Sequence, residues 1–298
     1  MSIAVIIPAY NSTPYLRETL QSVFDQTHQP DEILVVDDGS TDGTPAFAES
    51  FAPRVRVFRR TRHRPAANRN FGAEQTSCEW LAFLDHDDIW EPNKLERQMQ
   101  ELALHPEADL CYTGRVLLMQ RGDTATLGRV VTAPPAKDIR RSLFKSVTFL
   151  PSCVVIRRSA LLAVNGFNPL YFTSEDYDLW LRLLHAGVKF AACPEPLVQY
   201  REHDRNTSKN MAWFEDCTRV YRQLVVPYLP RTTGWLTYFK FLSEREGDLA
   251  YAMRKEGNPA HLAMMAKSVI HWPFNDSLRY KVLMHMLYRR FAGSTQRA

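Results

Sequence analysis

Apolar and polar positions along the first hundred residues follow two alternating rhythms. The runs IAVIIP (3–8), EILVVDD (32–38), VRVFRR (55–60) and WLAFLD (80–85) read as short parallel strands covered on both faces. Between them the apolar spacing is helical. Leu16, Leu20, Val23 and Phe24 follow Thr13 and Pro14, which suit an N-cap and first helical position. Further helices are expected over 66–76 and 92–104, the second opening at Pro92. This strand–helix rhythm predicts a doubly wound α/β sheet that binds its ligands at the carboxyl ends of the strands.

From about 108 to 157 the pattern turns strand-rich, in LCYTGRVLLM, TLGRVVT and SCVVIRR, with a turn at QRGD (120–123). A helix follows over 175–186, then a strand at 188–192 and the extended segment PEPLVQYREH. Beyond about 210 the pattern is almost wholly helical, with breaks at Pro227, Pro230, Gly257-Asn258-Pro259 and Pro273. A domain boundary is expected there.

Composition adds limits. A chain of 298 residues with 45% apolar and 23% charged positions can bury a large core. Its net charge of +4 is too small to indicate a nucleic-acid partner. The distribution says more: residues 231–298 carry 11 Lys/Arg against 5 Asp/Glu, so the basic surplus lies in the tail and the acidic clusters elsewhere. The five cysteines are scattered without CxxC spacing, which argues against a disulfide framework or zinc site and for a reducing cytosol. MSIAVIIPAY has no basic leader, and no run reaches the ~20 apolar residues of a membrane span. A cytoplasmic protein, soluble or peripheral on the membrane, is expected.

Two acidic clusters end predicted strands. DDGSTDGT (37–44) suits a turn and helix cap equally well as a set of acceptors for ribose hydroxyls or a base N–H. It lacks the oxygen ligands of a calcium loop and the pattern of a phosphate loop. DHDD (85–88) crowds Asp85, Asp87 and Asp88 against a buried run, a repulsion that a divalent cation would relieve. Carboxylates without nearby cysteine point to Mg²⁺ or Mn²⁺. An N-cap for the helix at Pro92 accounts for Asp88 alone. Glu175-Asp176 opens an amphipathic helix whose buried face is Leu179, Trp180, Leu183 and Leu184. Thr173-x-x-Asp176 also matches a capping box, so a cap and a cleft carboxylate both fit.

VIIPAYN, LQSVFDQT, DEILVVDDGSTDGT, NRNFGA, WLAFLDHDDIWEPNKLERQ, GFNPLYFTSEDYDLWLRLLHAG and VQYREH stand in this order over residues 1–208. Together they resemble the family 2 inverting glycosyltransferases of the GT-A fold. That resemblance implies a nucleotide-diphospho-sugar transferase with a doubly wound mixed sheet and a C-terminal helical extension. Its catalytic domain would span 1–208, with a nucleotide-sugar-binding half to about 107 and an acceptor-side half over 108–208, leaving 209–298 as a helical region. It further implies a base pocket at Pro8 and Tyr10, Asp38 bonded to the base, and Asp85 near the ribose. The metal would sit on Asp87 with His203 nearby, Arg64 or Arg69 at the diphosphate, and Asp176 as general base with Glu175 facing the acceptor. His86, inside the DxD motif, has no role assigned by the resemblance.

The implied reaction is metal-dependent transfer from a nucleotide sugar, UDP-linked, to a glycan or lipid-linked acceptor, with Mn²⁺ or Mg²⁺ as cofactor. Two rivals are a non-catalytic nucleotide-sugar-binding module and a metal-dependent nucleotidyltransferase. The first has no need of Asp176. The second would carry a basic Gly-rich loop where this chain reads PAYNSTPY. In the tail, LRYKVLMHMLYRRF (278–291) forms an apolar stripe flanked by basic residues. It suits packing on the catalytic domain, a homo-oligomer contact, or an interfacial helix on anionic lipid.

Overall fold

The computed structural model describes residues 1–61, 64–122, 124–203, 211–232, 234–255 and 257–273, with Met284. They fall into two compact units, Met1–Asn206 and Thr207–Ala298. The first unit is built on one mixed sheet. Strands β1 (Ile3–Ala9), β2 (Glu32–Asp37), β3 (Arg56–Arg59) and β4 (Trp80–Phe83) run parallel in the order β3-β2-β1-β4. Every residue of β1 and β4 is buried, as continuous apolar runs require. The third strand departs from expectation, because β3 is the sheet edge rather than a buried strand. Its arginines are exposed there, and Arg56 pairs with Glu32 while Arg59 pairs with Glu49.

Helices α1 (Leu16–Phe24), α2 (Thr44–Glu49), α3 (Arg64–Glu74) and α4 (Lys94–Leu104) connect these strands and follow them. Leu16, Leu20 and Val23 of α1 are buried. Thr13 and Pro14 do not start that helix. They remain in a turn in which the Ser12 carbonyl accepts from the Tyr15 and Leu16 N–H groups, and Tyr15 is the N-cap. Likewise α4 begins behind Asn93, one residue past Pro92.

The sheet continues through β5 (Ile89–Trp90), β6 (Leu110–Arg121), β7 (Thr124–Val131), β8 (Val154–Arg157) and β9 (Phe190–Glu202). The full order is β3-β2-β1-β4-β8-β6-β9-β5, with β7 on the outer part of β6. Strand β8 is antiparallel to both β4 and β6, whereas β9 runs parallel to β6. The expected short strand and the PEPLVQYREH extension are therefore one strand. Register shifts around Gly114 absorb its two prolines.

Three helices, α5 (Ile139–Leu143), α6 (Arg158–Ala163) and α7 (Glu175–His185), complete this unit. Helix α7 is fixed by an aromatic cluster. Phe149 stacks on Tyr112 at 4.5 Å between ring centres and meets Trp180 at 5.0 Å, while Phe167 packs edge-on against Phe83 at 5.0 Å. Such contacts add about 0.5–1.5 kcal/mol each to the burial of the rings.

The second unit holds α8 (Met211–Leu224), a short 3₁₀ turn (Val226–Tyr228), α9 (Gly234–Lys255) and α10 (His261–His271). Its breaks fall at the prolines and Gly257 that the sequence marks. Inside it Glu246 is buried and held by Lys267 at 3.2 Å and His271 at 2.6 Å. Among the described residues no helix is long and apolar enough to cross a membrane. The stripe over 278–291 lies outside the described residues.

Candidate active site

Three chain segments bring acidic side chains to the carboxyl ends of the parallel strands. The first is the loop after β2. Asp37 is buried, and its Oδ2 accepts from the N–H groups of Gly39 and Ser40, both at 3.2 Å. Gly39 adopts φ +80°, a left-handed conformation that strains any residue with a Cβ, and a Cβ there would also lie 3.3 Å from the Arg60 carbonyl. Asp42 accepts from the Thr44 N–H at 2.9 Å and the Thr13 N–H at 3.2 Å. Burial pushes its carboxyl up, but these bonds outweigh that and hold it down at about 2. Asp37 and Asp42 thus shape the loop. Asp38 is half-buried and accepts from the Arg64 backbone N–H at 3.0 Å.

The loop after β1 lies against it. Asn11 Oδ1 accepts from the Thr41 N–H at 2.9 Å, and the Asn11 N–H donates to the Ser40 hydroxyl at 2.9 Å. Tyr10 is 54% exposed on this loop, while Pro8 is buried in β1. The Pro8 carbonyl meets His86 Nδ1 at 3.2 Å. Because a carbonyl only accepts, that contact puts the proton on Nδ1. His86 therefore ties the DHDD turn to the end of β1.

The DHDD turn divides its acids among different partners. The buried Thr19 hydroxyl, 2.9 Å from the carbonyls of both His86 and Asp88, pins the backbone. Asp88 is fully buried and accepts from the Ser152 hydroxyl at 2.6 Å and the Arg201 N–H at 3.0 Å. Burial first, then the charges of Asp87 and Asp85, push its carboxyl well up. Asp88 is a structural acid, and the helix cap suggested for it does not form. Asp87 Oδ2 lies 2.9 Å from His203 Nε2. Burial works against its charge, yet the His203 bond and the nearby imidazoles of His86 and His203 lower it on balance. The His203 ring stacks on Tyr15 at 5.1 Å.

Arg201 is a residue that sequence reasoning missed. It is 2% exposed, donates from Nε to the Asp87 carbonyl at 2.8 Å, and also pairs with Gln120 and Glu18. A signal existed: Arg201 precedes His203 by two positions at the end of β9, and alternate strand residues share a face.

The third segment is the start of α7. Its N-cap is Ser174, without a side-chain cap bond, so the capping box from Thr173 to Asp176 does not form. Asp176 Oδ1 instead accepts from the neighbouring Tyr177 N–H at 2.7 Å. Burial, then Glu175, pushes the Asp176 carboxyl up to about 8; Asp85 adds to this, while the Tyr177 N–H and Arg69 oppose it. Glu175 accepts from Arg69 at 2.8 Å, and the other terminal nitrogen of Arg69 meets Asp85 at 2.5 Å. Burial disfavours the charge of Arg69, but the two carboxylates outweigh it and raise the group further. Arg69 is thus not an open arginine awaiting a diphosphate. Glu175 is likewise held by protein rather than presented freely to an acceptor. The Arg64 guanidinium lies 4.9 Å above the Phe172 ring, on the loop leading to α7.

That loop is braced from α3. Asn70 accepts from the Phe167 N–H and donates to its carbonyl, both at 2.8 Å. Gly166 sits at φ +65°, where a Cβ would come within 2.4 Å of Asn70 Oδ1. Both the backbone conformation and the close approach demand glycine.

Among the described residues no three His, Cys, Asp or Glu side chains form a ready cation cage. Asp87 and His203 converge as a pair. An Mg²⁺ or Mn²⁺ ion that keeps waters and takes phosphate oxygens from its ligand needs only such a partial set. The donors present fit an ion that arrives with a diphosphate.

Comparison with known proteins places the chain in a family. Residues 4–164 match the model of glycosyl transferase family 2. Among curated relatives, the putative teichuronic acid biosynthesis glycosyltransferase TuaG of Bacillus subtilis is 30% identical over 74% of this chain and 88% of its own length. An uncharacterized glycosyltransferase of Rickettsia felis is 30% identical over 70% of this chain but only 36% of its own length, so the chain spans about a third of that relative. The amylovoran biosynthesis glycosyltransferase AmsB of Erwinia amylovora is 24% identical over 78% of this chain and 80% of its own length. The crystal structure of S. aureus TarS 1-349 in complex with UDP superposes with a TM-score of 0.61 at 18% identity, covering 91% of this chain and 89% of that one. With the mixed sheet and the acidic strand ends in place, the chain belongs to glycosyl transferase family 2 and carries its GT-A fold with a C-terminal helical region.

Proposed function

We propose that this chain is an inverting, metal-dependent glycosyltransferase. It would move a sugar from a UDP-linked donor to a hydroxyl of a glycan or lipid-linked glycan. The observation that carries the reading is the division of labour at the start of α7. Glu175 is committed to Arg69, while Asp176 is bonded to the Tyr177 N–H and its carboxyl is pushed up to about 8. A buried carboxylate with a raised pKa is the stronger proton acceptor, and general base catalysis is worth ~10²–10⁴-fold.

In this mechanism Asp38 and the Pro8–Tyr10 segment receive the nucleoside, with Asp38 accepting from a base N–H. Asp85 lies beside the ribose. Asp87 and His203 would hold the divalent ion, which when bound neutralises charge on the departing diphosphate. Asp176 takes the proton of the acceptor hydroxyl as that oxygen bonds to the anomeric carbon. The bond from that carbon to the diphosphate breaks, and the nucleoside diphosphate leaves with the electron pair. Attack opposite the leaving group inverts the centre.

The relatives TuaG and AmsB, named for teichuronic acid and amylovoran biosynthesis, support a polysaccharide acceptor. The UDP in the TarS complex supports a uridine donor. Residues 1–208 would hold the catalytic domain, with donor binding in about 1–107 and acceptor contacts in about 108–208. The helical region 209–298 would serve attachment, to a second subunit or to the inner face of the membrane.

A panel of UDP-, GDP- and dTDP-sugars with Mn²⁺, read by nucleoside diphosphate release and by thermal shift, tests the reading. A UDP-sugar should raise the melting temperature and release UDP, and EDTA should abolish the release. A protein that neither binds nor consumes any nucleotide sugar would contradict it.

A further inference from the structure

Arg69 sits where two halves of the site meet. Its side chain is 4% exposed, and its terminal nitrogens divide between Asp85, which follows β4, and Glu175, the first residue of α7. These acids are 90 positions apart in the chain, yet one rigid planar group spans them. The guanidinium also lies 5.2 Å above the Phe167 ring, in the turn that Asn70 braces from the same helix α3. A guanidinium suits this task because its donors form a fixed fork; an ammonium would satisfy the two acids far less directionally.

We propose that Arg69 is a positioning residue: a buried strut that sets the distance between the donor-side acidic turn and the general base, rather than a ligand of the diphosphate. The inference rests on the glycosyltransferase reading and deepens it. Paired with Asp85 and Glu175, Arg69 quenches two of the three carboxylates gathered there. The third, Asp176, is left to exchange its proton. The charged groups acting on Asp176 are Glu175 on its own helix, Asp85 from the β4 end and Arg69 from α3. Of these only Arg69 favours the ionised base, so its loss has a sign that can be read.

Arg69→Met and Arg69→Lys are compared with the parent chain by ¹³C NMR of the aspartate carboxyls, the Asp176 signal being identified by its absence in Asp176→Asn. UDP binding with Mn²⁺ is measured alongside by calorimetry. The strut predicts that the Asp176 midpoint in Arg69→Met moves alkaline by about one pH unit or more. It also predicts that UDP affinity stays within about threefold of the parent, less than the loss of a charged hydrogen bond. Where a UDP-sugar is turned over, kcat falls while the donor KM holds. An unmoved Asp176 midpoint with a tenfold or greater loss of UDP affinity overturns the proposal and makes Arg69 a diphosphate ligand. If Arg69→Met does not fold, Arg69→Lys decides, since it keeps the charge but not the fork: a kcat loss without a change in UDP affinity supports the strut, and a kcat equal to the parent's overturns it. Failure of the glycosyltransferase reading would look different, as the parent itself would neither bind nor consume a UDP-sugar.

Discussion

His203 Nε2 lies 2.9 Å from Asp87 Oδ2, joining the end of β9 to the DHDD turn across 116 positions of sequence. If the pair receives the divalent ion, either single change removes one donor from the same ion. Asp87→Asn and His203→Ala should each abolish most of the Mn²⁺-dependent gain in UDP affinity. The double variant should lose little more than either one, because members of one network are not additive. Calorimetric titration of UDP with and without Mn²⁺ checks this; additive losses would separate the two residues.

Asp38 is the acid assigned to the nucleobase, whereas its neighbour Asp37 is spent on the Gly39 and Ser40 N–H groups. Asp38→Asn should weaken UDP by about tenfold, the value of a hydrogen bond to a charged group, and leave the melting temperature nearly unchanged. Asp37→Asn should do the reverse, unfolding at lower temperature through loss of the loop. Binding and melting curves for the two variants discriminate them.

The raised Asp176 carboxyl has a consequence for stability. Its proton is held in the folded chain up to about pH 8 but leaves the unfolded chain near 3.8. Folding therefore takes up a proton between these values, and this contribution to stability is complete below about pH 4 and lost as pH rises through 8. Asp176→Asn has no such proton to lose. Its melting temperature should exceed the parent's by on the order of ten degrees at pH 8, on the scale of about 2–4 °C per kcal/mol, and the gap should close toward pH 4. Equal melting temperatures at both ends would remove the buried charge from the account.

Asn70 holds both the N–H and the carbonyl of Phe167. Asn70→Ala leaves these groups without that partner and should cost ~1–3 kcal/mol, measured by urea unfolding, and should lower turnover because the same turn leads to α7. A loss below ~0.5 kcal/mol would show that the turn holds itself.

Much of this was legible in the residues. The continuous apolar runs announced β1, β2 and β4, and the family motifs single out Asp38, Asp85, Asp87 and Asp176 as the acids to examine. What remained hidden depends on contacts between distant segments. The pattern of VRVFRR does not say whether a strand is central or at an edge, because arginine stems cover apolar surface while their heads stay in water. His86 found its partner in a carbonyl, which any sequence provides. The NRN motif gives no sign that Arg69 faces two carboxylates while Asn70 faces a turn at 166–167, since successive helical residues diverge by about 100°. Asp88 looks like its neighbours in the motif, and only the positions of Ser152 and the Arg201 N–H make it structural.

The proposed mechanism turns on Asp176 removing the acceptor proton. Its most direct test is the pH dependence of sugar transfer, or of UDP release to water, by the parent and by Asp176→Asn with Mn²⁺. The parent's kcat/KM should rise about tenfold per pH unit and level off near pH 8, the value to which burial and Glu175 push this carboxyl. The Asn variant should be slower by ~10²–10⁴-fold, without that limb, while binding UDP as well as the parent. An Asn variant that transfers at the parent's rate with the same pH limb would contradict the account.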